Sequence, residues 1–592
     1  MSLSFARFVP ENRGTQRFSE FIFYDVESHV VPEKDGRAFF VPFLWTAIRA
    51  HYRKQSDSWT TCEKWGQSAE EFWDWVAEEH KEKKTLYLVS HHLEVDFMPL
   101  RGIPELKKRG YSPLKFIANG RTVALWFRKG KKTLVAMNNG NIFDGSIESW
   151  GKVLGIPKLD MPKAEDSLEE WIRYCSTDTL ILFLMWKTLY TFMKDHDLGN
   201  MKLTKASLAY SSFRHRFMTH KIALHSHPQA MQLEREAYHG GRFECTQVGN
   251  FTGNFYKLDI NSMYAAIQIQ ESLPCALVDY REGRFGADLI RAYIRNRAVI
   301  ADVEYSLKDP VFPVVKQGKV SFQGGKQRSV LCTPELEYLL EHGKIKAVYR
   351  LAIYEKAPIL SEFAAYFTRM KQQYEQEGNL PMRTLAKIFP NAVYGKFAQR
   401  AFHREYLGEC EPGSLRIIDT VDLDTREKYQ IVEYDGKAYK EWTDHENDRA
   451  FVAIAAHITA YGRIALWNLV KRAGIKNVYH LATDSLIVNQ AGYEKLRDLI
   501  DPFQVGKLKV EGTAQTMTLR DVNDYVFGSE EKIKGINKKA VKISEHTYQI
   551  TAWPRITTLI KNGMMDRYYT RTITKTLARP RYRSSLIRLR ST

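Results

Sequence analysis

Residues 480–488, HLATDSLIV, hold one carboxylate, Asp484, inside an otherwise apolar run. The alternation predicts a strand with Ala482 and Asp484 on the same face. An acid buried in such a strand needs a counter-charge. Working outward, GNFYKLD ends another apolar strand on Asp259, 225 residues upstream. Two aspartates set by strand backbones, distant in sequence and adjacent in a sheet, can hold two divalent cations with a phosphate chain between them. Pairing of each acid with a lysine or arginine is the plainer alternative.

The segments SEFAAYFTRMKQQYEQEG and PMRTLAKIFPNAVYGKFAQR, joined through Asn-Leu-Pro, predict an antiparallel helical hairpin. Arg383, Lys387, Asn391 and Tyr394 fall at i, i+4, i+8 and i+11, close to one helical face. A cationic face that also carries an amide and a ring suits a triphosphate and a stacked base pair; an ordinary solvated helix is the alternative. Pro390 removes a backbone donor there and predicts a kink. Near the N-terminus, FYDVES sets Asp25 and Glu27 on one strand face, and Tyr174 and Asp178 share a helix face four residues apart. Asp96 follows a second strand, TLYLVS, in an expected loop. Converged, these five groups would make a second two-metal centre, with four carboxylates on the ions and the tyrosine orienting water for phosphodiester hydrolysis.

The chain is 592 residues long, which predicts about three to five lobes. Its 44% hydrophobic and 12% aromatic content exclude a mostly disordered chain. A formal charge of +18 points to a polyanionic partner. The six scattered cysteines form no CxxC or Cys/His cluster, so neither zinc nor a redox pair is expected, and a reduced compartment is. The N-terminus lacks a signal-peptide core and no apolar run reaches about 20 residues, so a soluble, intracellular product is expected, cytoplasmic in the host if a phage or plasmid encodes it.

Along the chain, FIFYDVES, TLYLVS and KTLVAM read as strands, and DSLEEWIRYCSTDTLILFLMWKTLYTFMKDH as one or two helices, giving an α/β lobe that ends near residue 190. YHGGRFECTQ follows a basic stretch, with Gly240 and Gly241 permitting backbone paths closed to other residues. Residues 270–350 alternate short strands with Gly-rich turns. TPELEYLL then starts a helix with Thr333 as cap, Pro334 at its first position and Gly343 at its end. Residues 401–450 are acidic and hairpin-like, and IAAHITAYGRIALWNLVKRAG predicts an amphipathic helix. The tail, RTITKTLARPRYRSSLIRLRST, holds seven Arg or Lys and no acid.

Taken in order, these segments resemble a family B DNA polymerase with a 3′–5′ exonuclease. DVE at 25–27, HHLEVD at 91–96 and YCSTD at 174–178 resemble the three exonuclease motifs. DINSMY at 259–264, KIFPNAVYG at 387–395 and ATDS at 482–485 resemble the three polymerase motifs. YHGG at 238–241 resembles the connector of the protein-primed branch found in certain bacteriophages, adenoviruses and linear plasmids. The resemblance implies an α/β multidomain fold, a ribonuclease H-like exonuclease domain followed by a right-hand polymerase with palm, fingers and thumb. The implied divisions are 1–190 exonuclease, 191–270 connector and first part of the palm, and 271–355 an insertion like the terminal-protein-binding region. Next come 356–398 fingers, 399–450 palm with a second insertion, 451–528 palm, and 529–592 thumb and basic tail.

The same resemblance implies roles for residues. Asp259 and Asp484 would hold two magnesium ions (manganese as a substitute), and Asp25, Glu27, Asp96 and Asp178 two more, with Tyr174 beside them. Lys387 and Arg383 would meet the incoming dNTP, Asn391 and Tyr394 would line the nascent pair, and Tyr264 would exclude a ribose 2′-hydroxyl. Tyr238, Gly240, Gly241, His92, Lys507, Lys509 and Tyr525 would touch DNA. Template and primer DNA, dNTPs and a terminal-protein primer are the implied partners, of a monomer.

Several positions depart from the family pattern. Ala482 stands where a first aspartate is usual, His480 where an aromatic opens the motif, and Ala265 in place of a proline. His92 replaces an asparagine, and Asn523-Asp524-Tyr525 lacks the lysine of a Lys-x-Tyr element. The family's principal metal ligand in this motif is matched by Asp484, so one acid there is expected to suffice. A primer-independent primase-polymerase and a DNA-binding replication protein with an inactive polymerase centre are the competing readings.

Overall fold

Phe21, Ile22, Phe23 and Tyr24 are all fully buried, so FIFYDVES becomes a central strand, Glu20–Pro32, covered on both faces. The computed structural model describes residues 7–577 apart from residues 121, 317, 445–448 and 538. Glu20–Pro32 pairs parallel with Thr85–Ser90, and that strand parallel with Lys132–Asn138. On its other side it pairs antiparallel with Arg37–Arg53. The helix expected after residue 165 is one element, Leu168–Asp195, opened by a Ser167–Glu170 capping box and packed on the two longest strands. Asp96 lies on a short helix, Leu93–Phe97, and not in a loop.

The same sheet continues into the C-terminal region. Thr547–Ala552 pairs with Tyr568–Thr576, and Tyr568 to Arg571 pair with Phe40 back to Arg37. The result is a ten-stranded sheet built from both ends of the chain. Residues 578–592, most of the basic tail, lie outside the described residues.

A second, seven-stranded sheet holds the opening motif. HLATDSLIV is not one strand. It divides into Val478–Ala482 and Ser485–Asn489, joined by a tight turn at Thr483 and Asp484. Thr483 takes φ +59°, and its N–H donates to the Arg242 carbonyl at 2.8 Å. The run carries no Gly or Asn to mark this turn; an adjoining loop holds it instead. Gly249–Ile260 lies between Ser485–Asn489 and Leu508–Asp521, both antiparallel to it.

Residues 273–357 supply most of a six-stranded sheet. Its helix Thr333–His342 is capped by Cys332, one residue earlier than expected; the Thr333 hydroxyl is drawn inward to Val299 and His457. The helices Ser361–Gln376 and Leu380–Phe397 form the expected hairpin, and the second runs on through Pro390. Val452–Ala473 is buried on most of its faces, not amphipathic, because sheets and helices surround it. The acidic segment 401–444 is a four-stranded antiparallel sheet whose Leu415, Ile417, Val432 and Tyr434 share a core with the first lobe. Among the described residues no helix is long and apolar enough to cross a membrane, and all six cysteines are free.

Candidate active sites

In the first lobe, strand alternation points Asp25 and Glu27 the same way, and Leu168–Asp195 lays Cys175 and Asp178 over them. Ligand atoms of Asp25, Glu27 and Cys175 all lie within 4.8 Å of one another. The Cys175 thiol donates to Asp25 Oδ2 at 3.4 Å and accepts from the Thr46 hydroxyl at 3.2 Å. Asp96 joins from Leu93–Phe97, its Oδ2 taking the His92 N–H at 3.3 Å. Burial, then the nearby charge of Asp178, raises the Asp25 carboxyl to about 7. Burial, then Asp25, raises Glu27 to about 8. Asp96 is also pushed well up, by burial and by Asp25. Divalent cations would take the place of the protons that these crowded acids otherwise hold near neutrality, and hard oxygen donors suit magnesium or manganese.

One cation is already present. Lys158 pairs with Asp178 Oδ2, and its ammonium sits 4.5 Å from the Tyr174 ring centroid. The other oxygen of Asp178, Oδ1, is buried without a partner. Sequence reading misses Lys158 because it stands in a loop before the helix, outside any paired motif. His92 is exposed at the start of Leu93–Phe97, its ring 4.5 Å from that of His91.

The second cluster sits across the seven-stranded sheet. Asp259 is opposite Ser485 on one side and Lys509 on the other, and Ser485 is opposite Ala482. The Ile260 N–H donates to the Asp484 carbonyl at 2.8 Å, fastening the Thr483–Asp484 turn beside Asp259. Burial, then the charge of Asp259, raises Asp484 to about 6. Burial also raises Asp259, against the pull of Lys509, whose Nζ lies 3.0 Å from Asp259 Oδ1. Lys509 also reaches Glu511 Oε1 at 3.4 Å. The donor set again fits oxygen-seeking divalent ions, with Glu511 a third acid nearby.

The hairpin faces this cluster. The Tyr264 and Tyr394 rings pack tilted by 40° at 5.1 Å between centroids, and both hydroxyls are raised by burial, Tyr394 to about 12. Lys387 and Asn391 are exposed and line a cavity of about 240 Å³ that reaches Asp144 and Trp150 of the first lobe. Arg383 is held by Glu375 at 3.0 Å. Lys371, a cation that helical spacing did not single out, lies 3.2 Å from the Ser262 hydroxyl; burial and then Arg383 lower its pKa, with Lys387 and Lys509 adding to the effect.

YHGG closes over the turn. A Cβ on Gly241 would come 2.7 Å from Thr483 Cγ2, whereas one on Gly240 would meet nothing within 4 Å. Arg463, buried and paired with Glu335 at 2.9 Å, donates to the His239 and Gly240 carbonyls at 2.8 and 3.0 Å. Tyr238 is half-buried. Lys507 is half-buried beside the sheet, and Tyr525 is 2% exposed, its ring 5.1 Å from that of His480. Tyr525 is packed as a core residue, away from the surface where DNA contact was expected.

The sequence profile of the family described as DNA polymerase type B, organellar and viral, matches residues 156–473. The chain belongs to this family. A relative from Kluyveromyces lactis, named DNA polymerase, is 23% identical over 389 residues, covering 61% of this chain and 37% of its own. A probable DNA polymerase of Agaricus bitorquis is 26% identical over 261 residues, covering 42% of this chain and 31% of its own. The chain thus spans about a third of the length of these curated relatives. Phi29 DNA polymerase, solved with primer-template DNA and incoming nucleotide, superposes with a TM-score of 0.66 at 16% identity over 95% of this chain and all of that one. Its orthorhombic crystal form gives 0.62 over 97% of this chain and 94% of that one, at 16% identity. The multidomain α/β fold is therefore that of phi29 DNA polymerase.

Proposed function

We propose that the protein is a template-directed DNA polymerase with a proofreading 3′–5′ exonuclease, of the protein-primed branch. The observation that carries the reading is the meeting of Asp259, near the end of one strand, with Asp484, 225 residues on in the turn before the adjoining strand, beside Lys387 and Tyr394. The seven-stranded sheet would be the palm, the helical hairpin the fingers, and the first lobe a ribonuclease H-like exonuclease extended by the thumb. Divalent ions held by Asp259 and Asp484, and by the first-lobe acids, would activate the attacking oxygen and stabilise charge on the phosphate.

The chain's own groups do the rest. Lys387, Arg383 and Lys371 offset triphosphate charge from the hairpin. Tyr264, packed against Tyr394, fills the space a 2′-hydroxyl would need. Tyr238, Gly240 and Gly241 meet the template, and Lys507 the backbone of the duplex. In the first lobe Tyr174 and Lys158 orient water toward the scissile phosphate. A terminal protein supplying the first hydroxyl fits the insertion at 271–355.

A second reading, an inactive polymerase centre on a DNA-binding protein, draws on Ala482. Primer extension on a recessed duplex with Mg²⁺ separates the two. Wild type is expected to extend, and Asp484→Asn and Asp259→Asn to lose about a thousandfold or more, with single-strand degradation intact. Asp25→Ala should show the reverse pattern. A wild type that degrades but never extends sinks the polymerase reading, and extension from unprimed template would favour a primer-independent enzyme.

A further inference from the structure

Along one row of the seven-stranded sheet, register sets Ala482, Ser485, Asp259 and Lys509 side by side across four strands. Directly opposed residues point to the same face, so all four look into the candidate centre. At this face the family's usual acid is replaced by Ala482, while a base stands at 509. Lys509 Nζ lies 3.0 Å from Asp259 Oδ1 and 3.4 Å from Glu511 Oε1, spanning two acids of the cluster. Its side chain is 35% exposed and that of Asp259 14%, so the lysine closes Asp259 off from solvent on that side. Lys257, one strand inward, pairs with Glu511 at 3.6 Å and Glu530 at 3.8 Å, an ion pair of the same kind made without Asp259.

We propose that Lys509 is a built-in competitor for the metal at Asp259. An ammonium and a divalent cation cannot share one carboxylate oxygen at contact distance without strong repulsion. Metal binding at Asp259 therefore works against the Lys509–Asp259 pair, and the flexible four-carbon stem lets the ammonium swing aside. Glu511 Oε1, 3.4 Å away, is the partner that remains to the ammonium there. Lys509 acts as a positioning residue: it holds Asp259 in place without metal and raises the metal concentration the centre needs. The inference rests on the two-metal reading of Asp259, and its test reads metal binding directly.

The test is Mn²⁺ binding by electron paramagnetic resonance, without DNA or nucleotide, in an Asp25→Ala background that removes the first-lobe centre. Lys509→Gln is expected to bind Mn²⁺ about fivefold more tightly than its parent, the affinity equivalent of a half-exposed ion pair. Lys509→Arg should stay near the parent value, and Lys257→Gln should change little. Unchanged or weaker binding in Lys509→Gln overturns the proposal. So does an equal gain in Lys257→Gln, which would mark a general charge effect, or a gain that survives Asp259→Asn. The result holds whether or not the protein extends primers, so it stands or falls apart from the polymerase reading.

Discussion

Lys158 gives the first-lobe cluster its cation, bridging Asp178 and the face of Tyr174. Its replacement by Met should lower single-strand degradation about a hundredfold, the scale of a lost positioned charge, and leave primer extension unchanged. Degradation and extension rates on one preparation check this. The acids themselves make the fold pH-sensitive. Asp25 at about 7 and Glu27 at about 8 lie above the usual carboxylate range, which an unfolded chain would show. Below about pH 4 both states are protonated and the groups do not affect stability. As pH rises, the unfolded chain ionises first, so the folded state loses stability until about pH 8 and then levels off. In EDTA the melting temperature should therefore fall between pH 5 and 8. Asp25→Asn should flatten the fall, and Mg²⁺ should reverse it. A curve rising through that window would show the cluster to be ionised and satisfied without metal.

At the scale of elements, what the sequence made legible followed from backbone periodicity. Asp25 with Glu27, and Tyr174 with Asp178, are neighbours by strand and helix geometry, and they do meet. Asp259 and Asp484 were each readable as acids ending or interrupting apolar runs, and long-range pairing joined them. Less readable was anything fixed by another element. The Thr483–Asp484 turn carries no Gly or Asn at its positive-φ position, and Arg242 and Gly241 hold it from a different loop. Lys158 and Lys371 stand alone in sequence and acquire partners only across strands and helices, and Lys509 meets Asp259 only through strand pairing. Tyr525 was matched to a DNA-touching tyrosine through the family pattern, yet its ring is 2% exposed and packs beside that of His480. The two YHGG glycines test the loop-on-turn contact. Gly241→Ala would press a methyl onto Thr483 and should cost about 1–3 kcal/mol, with slower single-nucleotide incorporation. Gly240→Ala, with open space around its Cβ, should melt like wild type. Equal melting of the two variants would mean that Thr483 gives way freely and that the turn is not held by the loop.

At the scale of the whole molecule, the first lobe, the strands of residues 547–576 and the segment 401–444 share one core. Tyr568–Thr576 extends the first-lobe sheet beside Arg37–Arg53, and Ile556, Leu559 and Ile560 lie in the same apolar cluster as Trp45, Phe72, Leu415 and Val432. Lys561 adds an ion pair to Asp419 at 2.6 Å. A proposed thumb and a proposed exonuclease that share a core cannot unfold independently, because the strand edge and apolar surface of each are covered by the other. Leu559 is fully buried there, so Leu559→Ala should cost about 2–5 kcal/mol. The loss should appear far from the substitution. Amide hydrogen exchange in Glu20–Pro32 and Thr85–Ser90 should speed up with that in Tyr568–Thr576, and single-strand degradation should fail at a lower temperature than in wild type. Faster exchange confined to residues 547–576 would instead make the C-terminal hairpin a separately folding unit, with the shared sheet a docking contact between two bodies.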